Sequence, residues 1–273
     1  MQCPGCGNDT PLHAKFCGEC GTALSAASPH APQAYTPRRL AEKILTSRAA
    51  LEGERKVVTV LFADVRGSME LLTDRDPEEA RKVLDPVLEH MMEAVHRYEG
   101  TVSQVMGDGI MALFGAPLAH EDHALRACYA ALRMQEMVKQ YGESTRRDAG
   151  PPVQIRAGLN SGDVAVRSIG SDLRMEYTAV GATTHLAARM EQLAAPGTIL
   201  MTRQTAALAE GFVRLAPRGP MDVKGLREPV EVFELTGASP VLSRLHAAAD
   251  RGLTRLIGRD EDLALLHLSL IHI

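Results

Sequence analysis

Tryptophan is absent from this 273-residue chain, and tyrosine and phenylalanine contribute only five residues each. A core built on large aromatic anchors is therefore excluded, and an aliphatic interior filled in by the twelve methionines takes its place. The chain also lacks a charge excess of either sign: 30 Lys and Arg against 34 Asp and Glu leave a net −4. That balance argues against a nucleic-acid surface, which needs a basic field. No apolar run approaches the roughly 20 residues of a membrane-spanning helix, so no membrane segment is expected. The start Met1-Gln2-Cys3-Pro4 has none of the features of a signal peptide. Together these absences predict a cytoplasmic protein.

Cysteine is scarce, but four of the five sit in a pattern. Cys3-Pro4-Gly5-Cys6 and Cys17-Gly18-Glu19-Cys20 are two CxxC pairs with ten residues between them, each followed by a glycine. Thiolates at this spacing suit a tetrahedral zinc ion, because the tight turns aim backbone amides at the sulfurs. Residues 1–24 thus read as a zinc ribbon holding one structural Zn²⁺ on Cys3, Cys6, Cys17 and Cys20, a unit that folds with its metal and offers a surface for an unknown partner. Residues 25–54 read as an Ala-, Ser- and Pro-rich linker followed by a short amphipathic helix. Cys128 falls in a predicted helix as a buried thiol.

The main domain, residues 55–237, opens on Lys56-Val57-Val58-Thr59-Val60-Leu61-Phe62-Ala63-Asp64, a nearly continuous β-branched and apolar run. Such a run reads as a strand covered on both faces, with an acid at its end. Val65, Gly67 and Ser68 follow, and their turn amides could cradle phosphate. Asp76-Pro77-Glu78-Glu79 is a helix start, with Asp76 as cap, and Gly100 ends that helix. Next come two apolar runs, Val102 to Met106 and Ile110 to Phe114, pinched at Gly107-Asp108-Gly109, a tight-hairpin signal that holds up a second carboxylate. A long helix from Ala119 to about Tyr141 follows, with Leu125, Cys128, Leu132, Met134 and Met137 as its inner stripe. In it His120-Glu121-Asp122-His123 reads as helix N-terminal acids, since the spacing is not that of a zinc-binding HExxH pair.

Val153 to Leu159 reads as a strand, Asn160-Ser161-Gly162-Asp163 as a hairpin turn and Val164 to Ile169 as the returning strand. The resulting order predicts an α+β domain, a ferredoxin-like, palm-type β-α-β-β-α-β sheet with helices on one face. In that order the end of the first strand and the Gly107–Gly109 turn lie side by side. Asp64 and Asp108 then converge, and two converging carboxylates call for a cation. Their oxygens suit two Mg²⁺ or Mn²⁺ ions, the ligation used in nucleotidyl transfer.

Three stretches in this order resemble the class III adenylate and guanylate cyclase catalytic domain. They are Leu61-Phe62-Ala63-Asp64-Val65-Arg66-Gly67-Ser68, Gly107-Asp108-Gly109-Ile110-Met111-Ala112-Leu113-Phe114-Gly115, and Val180-Gly181-Ala182-Thr183-Thr184-His185-Leu186-Ala187-Ala188-Arg189. The resemblance implies that Asp64 and Asp108 hold two metal ions per active site and that the sites form between two subunits of a homodimer. It implies further that Arg189 stabilises charge on the transferring phosphate and that Lys224 binds phosphate. His185 stands where the family commonly carries an asparagine that orients the ribose. Gln104 and Thr178 stand where a lysine and an aspartate commonly read the base. Glutamine offers donor and acceptor and threonine a rotatable hydroxyl, so this pair fits adenine without excluding guanine.

The expected function is an adenylate cyclase that converts ATP to 3′,5′-cyclic AMP and pyrophosphate in cyclic nucleotide signalling. The alternative is a catalytically weak cyclase domain serving as a nucleotide-binding sensor or dimerisation scaffold, a reading supported by His185, Gln104 and Thr178. A diguanylate cyclase or palm-type polymerase is disfavoured because a GGDEF-like acidic hairpin is absent. Residues 238–273 read as a helical lead whose Leu256-Ile257-Gly258-Arg259-Asp260 resembles the start of an AAA or STAND-type ATPase, although no GxxxxGK loop follows.

Overall fold

The computed structural model describes Pro37 and residues 55–66, 77–145, 153–169, 176–226, 228–240 and 258–271. The zinc-ribbon cysteines, the linker and its short helix, Gly67, Ser68 and the Asp76 cap lie outside the described residues.

The elements in chain order are β1 (Arg55–Arg66), α1 (Pro77–Arg97), β2 (Thr101–Met106), β3 (Gly109–Phe114), α2 (His123–Thr145), β4 (Gln154–Ile169), β5 (Glu176–Val180), α3 (Ala182–Leu193), β6 (Ile199–Thr202), α4 (Arg203–Ala209), β7 (Val213–Met221), β8 (Val230–Ala238) and α5 (Asp260–Ile271). The first six follow the predicted β-α-β-β-α-β order. The strands form one sheet in the order β2-β3-β1-β4-β6-β8-β7, with β5 added on β4. Pairing is antiparallel except between β4 and β6.

β1 shows why a continuous apolar run is needed at the centre of this sheet. Leu61, Ala63 and Val65 point into a core shared with α1, α2 and α4, while Val58 and Val60 point the other way, against Ala187 of α3. The expectation of helices on one face is therefore corrected: α3 covers the opposite face from α1, α2 and α4. Its small residues and Gly158 permit this. A Cβ on Gly158 would lie 2.0 Å from Glu191 N and 2.4 Å from Ala187 O, so the α3 backbone rests directly on the β4 backbone.

The predicted turn at 160–163 is also corrected. β4 runs unbroken through these residues and pairs with β1, Val60 opposite Asn160 and Val58 opposite Gly162. Asn, Ser, Gly and Asp favour turns because their polar groups satisfy the local backbone; here distant groups do that work. Asn160 Nδ2 donates to Thr183 O at 2.9 Å, and Thr202 Oγ1 donates to Asn160 Oδ1 at 2.6 Å. Ser161 Oγ bonds Thr59 Oγ1 at 2.8 Å and Thr205 Oγ1 at 2.9 Å, and Thr59 Oγ1 also lies 2.7 Å from His123 Nδ1. A buried polar chain thus ties α2, β1, β4 and α4 together, with each hydroxyl satisfied by its neighbour.

α2 begins at His123 rather than Ala119, and Cys128, Met134 and Met137 of its expected stripe are buried. Burial pushes the Cys128 thiol up to about 12, so it stays an inert thiol. The acid Asp122 pairs with Arg126 at 2.8 Å, and Arg126 also reaches Glu99 at 3.0 Å. This cluster pins the segment between β3 and α2. No helix among the described residues is long and apolar enough to cross a membrane.

Candidate active site

Register brings the two predicted acids together. Asp64 pairs with Gly109 of β3 on one side and with Arg156 of β4 on the other. Val65 N donates to Asp108 O at 3.2 Å, so Val65, an expected phosphate contact, here secures the turn to the end of β1. The Asp64 and Asp108 carboxyl groups come within hydrogen-bonding reach of each other. Burial first, and the Asp108 carboxylate second, hold the Asp64 carboxyl above its ordinary value, with Arg156 opposing both.

Gly109 makes this approach possible. A Cβ there would stand 2.8 Å from Ala63 O and 2.9 Å from Asp64 Oδ1. Gly109→Ala is expected to push the Asp64 carboxylate aside, costing about 1–2 kcal/mol of stability by overpacking. It should also lower nucleotide turnover about tenfold or more, since misplacement of a reacting group by about 1 Å costs up to 10²-fold. Thermal denaturation and a turnover assay on the same preparation test both.

Two residues that the sequence reading passed over complete the cluster. Arg156 Nη2 lies 3.3 Å from Asp64 Oδ2, and Arg156 Nε lies 2.5 Å from Glu191 Oε1. Burial pushes the Glu191 carboxyl up, Arg156 opposes this, and the Asp64 and Asp108 carboxylates add to the rise. A signal for both was available. Arg156 is the one charge in the expected strand Val153 to Leu159, and Glu191 falls on the α3 stripe of Thr183, Ala187 and Met190 that is buried. Charges in such places need a partner.

The other predicted residues lie elsewhere in the chain. At about 100° per residue, Arg189 is turned about 200° round α3 from Glu191, away from the acids. Arg189 Nη1 donates to Gln192 Oε1 at 2.5 Å, and His185 is exposed. Gln104 is partly buried on β2, opposite Met111, and β5, which carries Thr178, lies against β2. Lys224 is exposed in the turn after β7. One chain therefore brings together Asp64, Asp108, Arg156 and Glu191 but does not bring Arg189 to them.

The acid pair fits divalent ions. Among the described residues no group of three or more His, Cys, Asp or Glu side chains could hold a metal. Two half-buried carboxylates with oxygen ligands only would leave positions for phosphate oxygens and water, as Mg²⁺ prefers.

A mixed sheet that presents two acids and a buried ion pair at one strand end defines a palm-like α+β domain. The adenylate and guanylate cyclase catalytic domain model matches residues 52–237, and the chain belongs to that family. It is 30% identical over 210 residues to Adenylate cyclase 1 of Rhizobium meliloti (strain 1021), which covers 74% of this chain and 31% of that protein. The chain thus spans under a third of that relative's length. The solved adenylyl cyclase CyaB from P. aeruginosa is 31% identical, with a TM-score of 0.66, over 71% of this chain and all of that one. The guanylyl cyclase Cya2 is 32% identical, with a TM-score of 0.65, over 70% of this chain and 96% of that one. The family is that of a phosphorus-oxygen lyase domain, with guanylate not excluded.

Proposed function

We propose that this domain converts ATP to 3′,5′-cyclic AMP and pyrophosphate at sites shared by two copies of the chain. The observation that carries the reading is the convergence of Asp64 and Asp108, with Asp64 paired to Gly109, Val65 N bonded to Asp108 O and the Asp108 carboxylate helping to hold the half-buried Asp64 carboxyl above its ordinary value. Mg²⁺ or Mn²⁺ on these acids would acidify the 3′-hydroxyl and neutralise the triphosphate. The hydroxyl oxygen then attacks the α-phosphorus, its proton leaves to solvent, and the bond to pyrophosphate breaks. Arg156, the cation beside Asp64, can receive a phosphate oxygen through its planar fork of donors.

His185 is exposed and Arg189 partly exposed on the side of α3 turned away from the acids, which supports a second copy supplying them. Arg189 would stabilise charge on the transferring phosphate, with Lys224 on the pyrophosphate and His185 on the ribose. Gln104 and Thr178, on neighbouring strands, would read the base. The likeness to Cya2 is the reason GTP belongs in the test. Gly67 and Ser68 would offer backbone amides to phosphate, and Cys3, Cys6, Cys17 and Cys20 would hold a structural zinc.

Purified protein with Mn²⁺ is expected to release cyclic AMP from ATP several-fold faster than cyclic GMP from GTP. A ratio favouring GTP would reverse the substrate assignment. A folded dimer inert toward both nucleotides in Mg²⁺ and Mn²⁺ would leave the scaffold reading, for which His185 in place of the usual asparagine is the specific observation.

A further inference from the structure

We propose that Glu191 is a positioning residue that shares the Arg156 guanidinium with Asp64, and that this sharing sets how strongly the acid pair takes a divalent cation. The inference rests on the metal-binding reading of Asp64 and Asp108 above.

Arg156 is the hinge of a three-membered cluster. Its Nη2 faces Asp64 Oδ2 at 3.3 Å and its Nε faces Glu191 Oε1 at 2.5 Å. The Glu191 contact is the shorter one, and it is the better shielded, with the side chains of Arg156 and Glu191 only 19% and 10% exposed against 30% for Asp64. The Asp64 contact is the one with hydrogen-bond geometry, while Arg156 Nε and Glu191 Oε1 are buried side by side without a hydrogen bond, so Glu191 holds Arg156 as a close, shielded opposite charge.

The helix that carries Glu191 is packed tightly on the strand. The α3 backbone at Glu191 and Ala187 sits on Gly158, two residues along β4 from Arg156, at a separation that leaves no room for a methyl group. Residues two apart on a strand share a face, so Arg156 and the α3 contact lie on the same side of the sheet. The helix backbone that carries Glu191 is therefore held close against the strand that carries Arg156.

Charge counting gives the consequence. Asp64, Asp108, Glu191 and Arg156 carry three negative charges against one positive. With Glu191 present, Arg156 divides its charge between two carboxylates and Asp64 keeps capacity for a cation. With Glu191 neutral, Arg156 has Asp64 as its remaining acidic partner. It then competes with a metal for the same oxygens, in a setting where the local charge has fallen by one. Glu191 touches neither metal nor substrate; it acts through Arg156.

The test is a Mn²⁺ titration of the protein without nucleotide, reading free Mn²⁺ by electron paramagnetic resonance, alongside thermal denaturation. Glu191→Gln is expected to weaken Mn²⁺ binding about tenfold and to raise the Mn²⁺ needed for half-maximal turnover in step. Arg156→Ala is expected to tighten Mn²⁺ binding while raising KM for ATP. Adding Glu191→Gln to Arg156→Ala should weaken Mn²⁺ binding clearly less than Glu191→Gln does alone, because the intermediary is gone and only the direct charge of Glu191 on the acid pair is lost; double-mutant cycles isolate such coupling. A purely structural glutamate would not show this dependence on Arg156.

Equal Mn²⁺ affinity in wild type and folded Glu191→Gln overturns the proposal, as does an equal effect of Glu191→Gln with and without Arg156. Should Glu191→Gln fail to fold, the comparison is made between Arg156→Ala and the double variant, which removes both members of the Arg156–Glu191 pair and so leaves neither of them as an unpaired charge. There, a weakening as large as that expected of Glu191→Gln alone overturns the proposal, and a tightened affinity common to both supports it. Asp64→Asn separates the two levels: Mn²⁺ binding that ignores Asp64 refutes the metal reading itself, whereas binding that needs Asp64 and ignores Glu191 refutes this inference alone.

Discussion

Asp64→Ala and Asp108→Ala are each expected to abolish cyclic nucleotide release, by about 10³-fold or more, equivalent to about 4 kcal/mol of transition-state stabilisation. Asp64 near the end of β1 and Asp108 on the adjoining turn are brought together by the sheet register and the Val65 N to Asp108 O bond. The loss should occur in a folded protein. Burial and Asp108 hold the Asp64 carboxyl above its ordinary value. With that sign, the stability this carboxyl contributes is present below its unfolded value and is lost as pH rises through the raised folded value. At neutral pH and without metal the ionised Asp64 therefore opposes folding, and Asp64→Asn should melt no lower than wild type.

The same variants test the shared site. Because Arg189 faces away from the acids of its own chain, a preparation of Asp64→Ala mixed with Arg189→Ala should regain activity. Half of the randomly assorted two-fold dimers would be mixed, each with one of two sites intact, giving about a quarter of wild-type turnover. Recovery confined to background levels would contradict the two-subunit arrangement, while full activity of Arg189→Ala alone would remove that residue from the site.

Gly158→Ala is the second substitution with a large expected effect. The added methyl would meet Glu191 N at 2.0 Å and Ala187 O at 2.4 Å, and both are backbone atoms of a packed helix. No flexible side chain is there to yield, so the cost should reach the top of the usual overpacking range, about 3 kcal/mol or more. For a domain of this size that corresponds to a Tm lower by about 6–12 °C. Activity should fall with it, since α3 carries Glu191, Arg189 and His185. An unchanged Tm would mean that α3 does not seat on β4 as described.

Much of this was legible in the sequence because it was local. The apolar run of β1 ending in Asp64, the Gly107-Asp108-Gly109 turn and the helix before it each follow from the preferences of neighbouring residues. Their order along the chain was enough to place the two acids together, since a hairpin beside a central strand has few registers that keep apolar residues buried. The family resemblance in three ordered stretches rested on the same local features.

What was misread depended on partners far away in the chain. Asn160-Ser161-Gly162-Asp163 has the composition of a turn, yet it lies inside β4 because Thr183, Thr202, Thr205 and Thr59 satisfy its polar groups. Only tertiary structure could supply those bonds. The sequence by itself determined which acids would meet. The fold decided that α3 covers the other face of the sheet, that Gly158 lets it rest there, and that Arg156 stands between Asp64 and Glu191. The physical reason is that a strand or a turn is stabilised by contacts a few residues apart, whereas a buried charge is stabilised by whichever opposite charge the packing of another element brings to it.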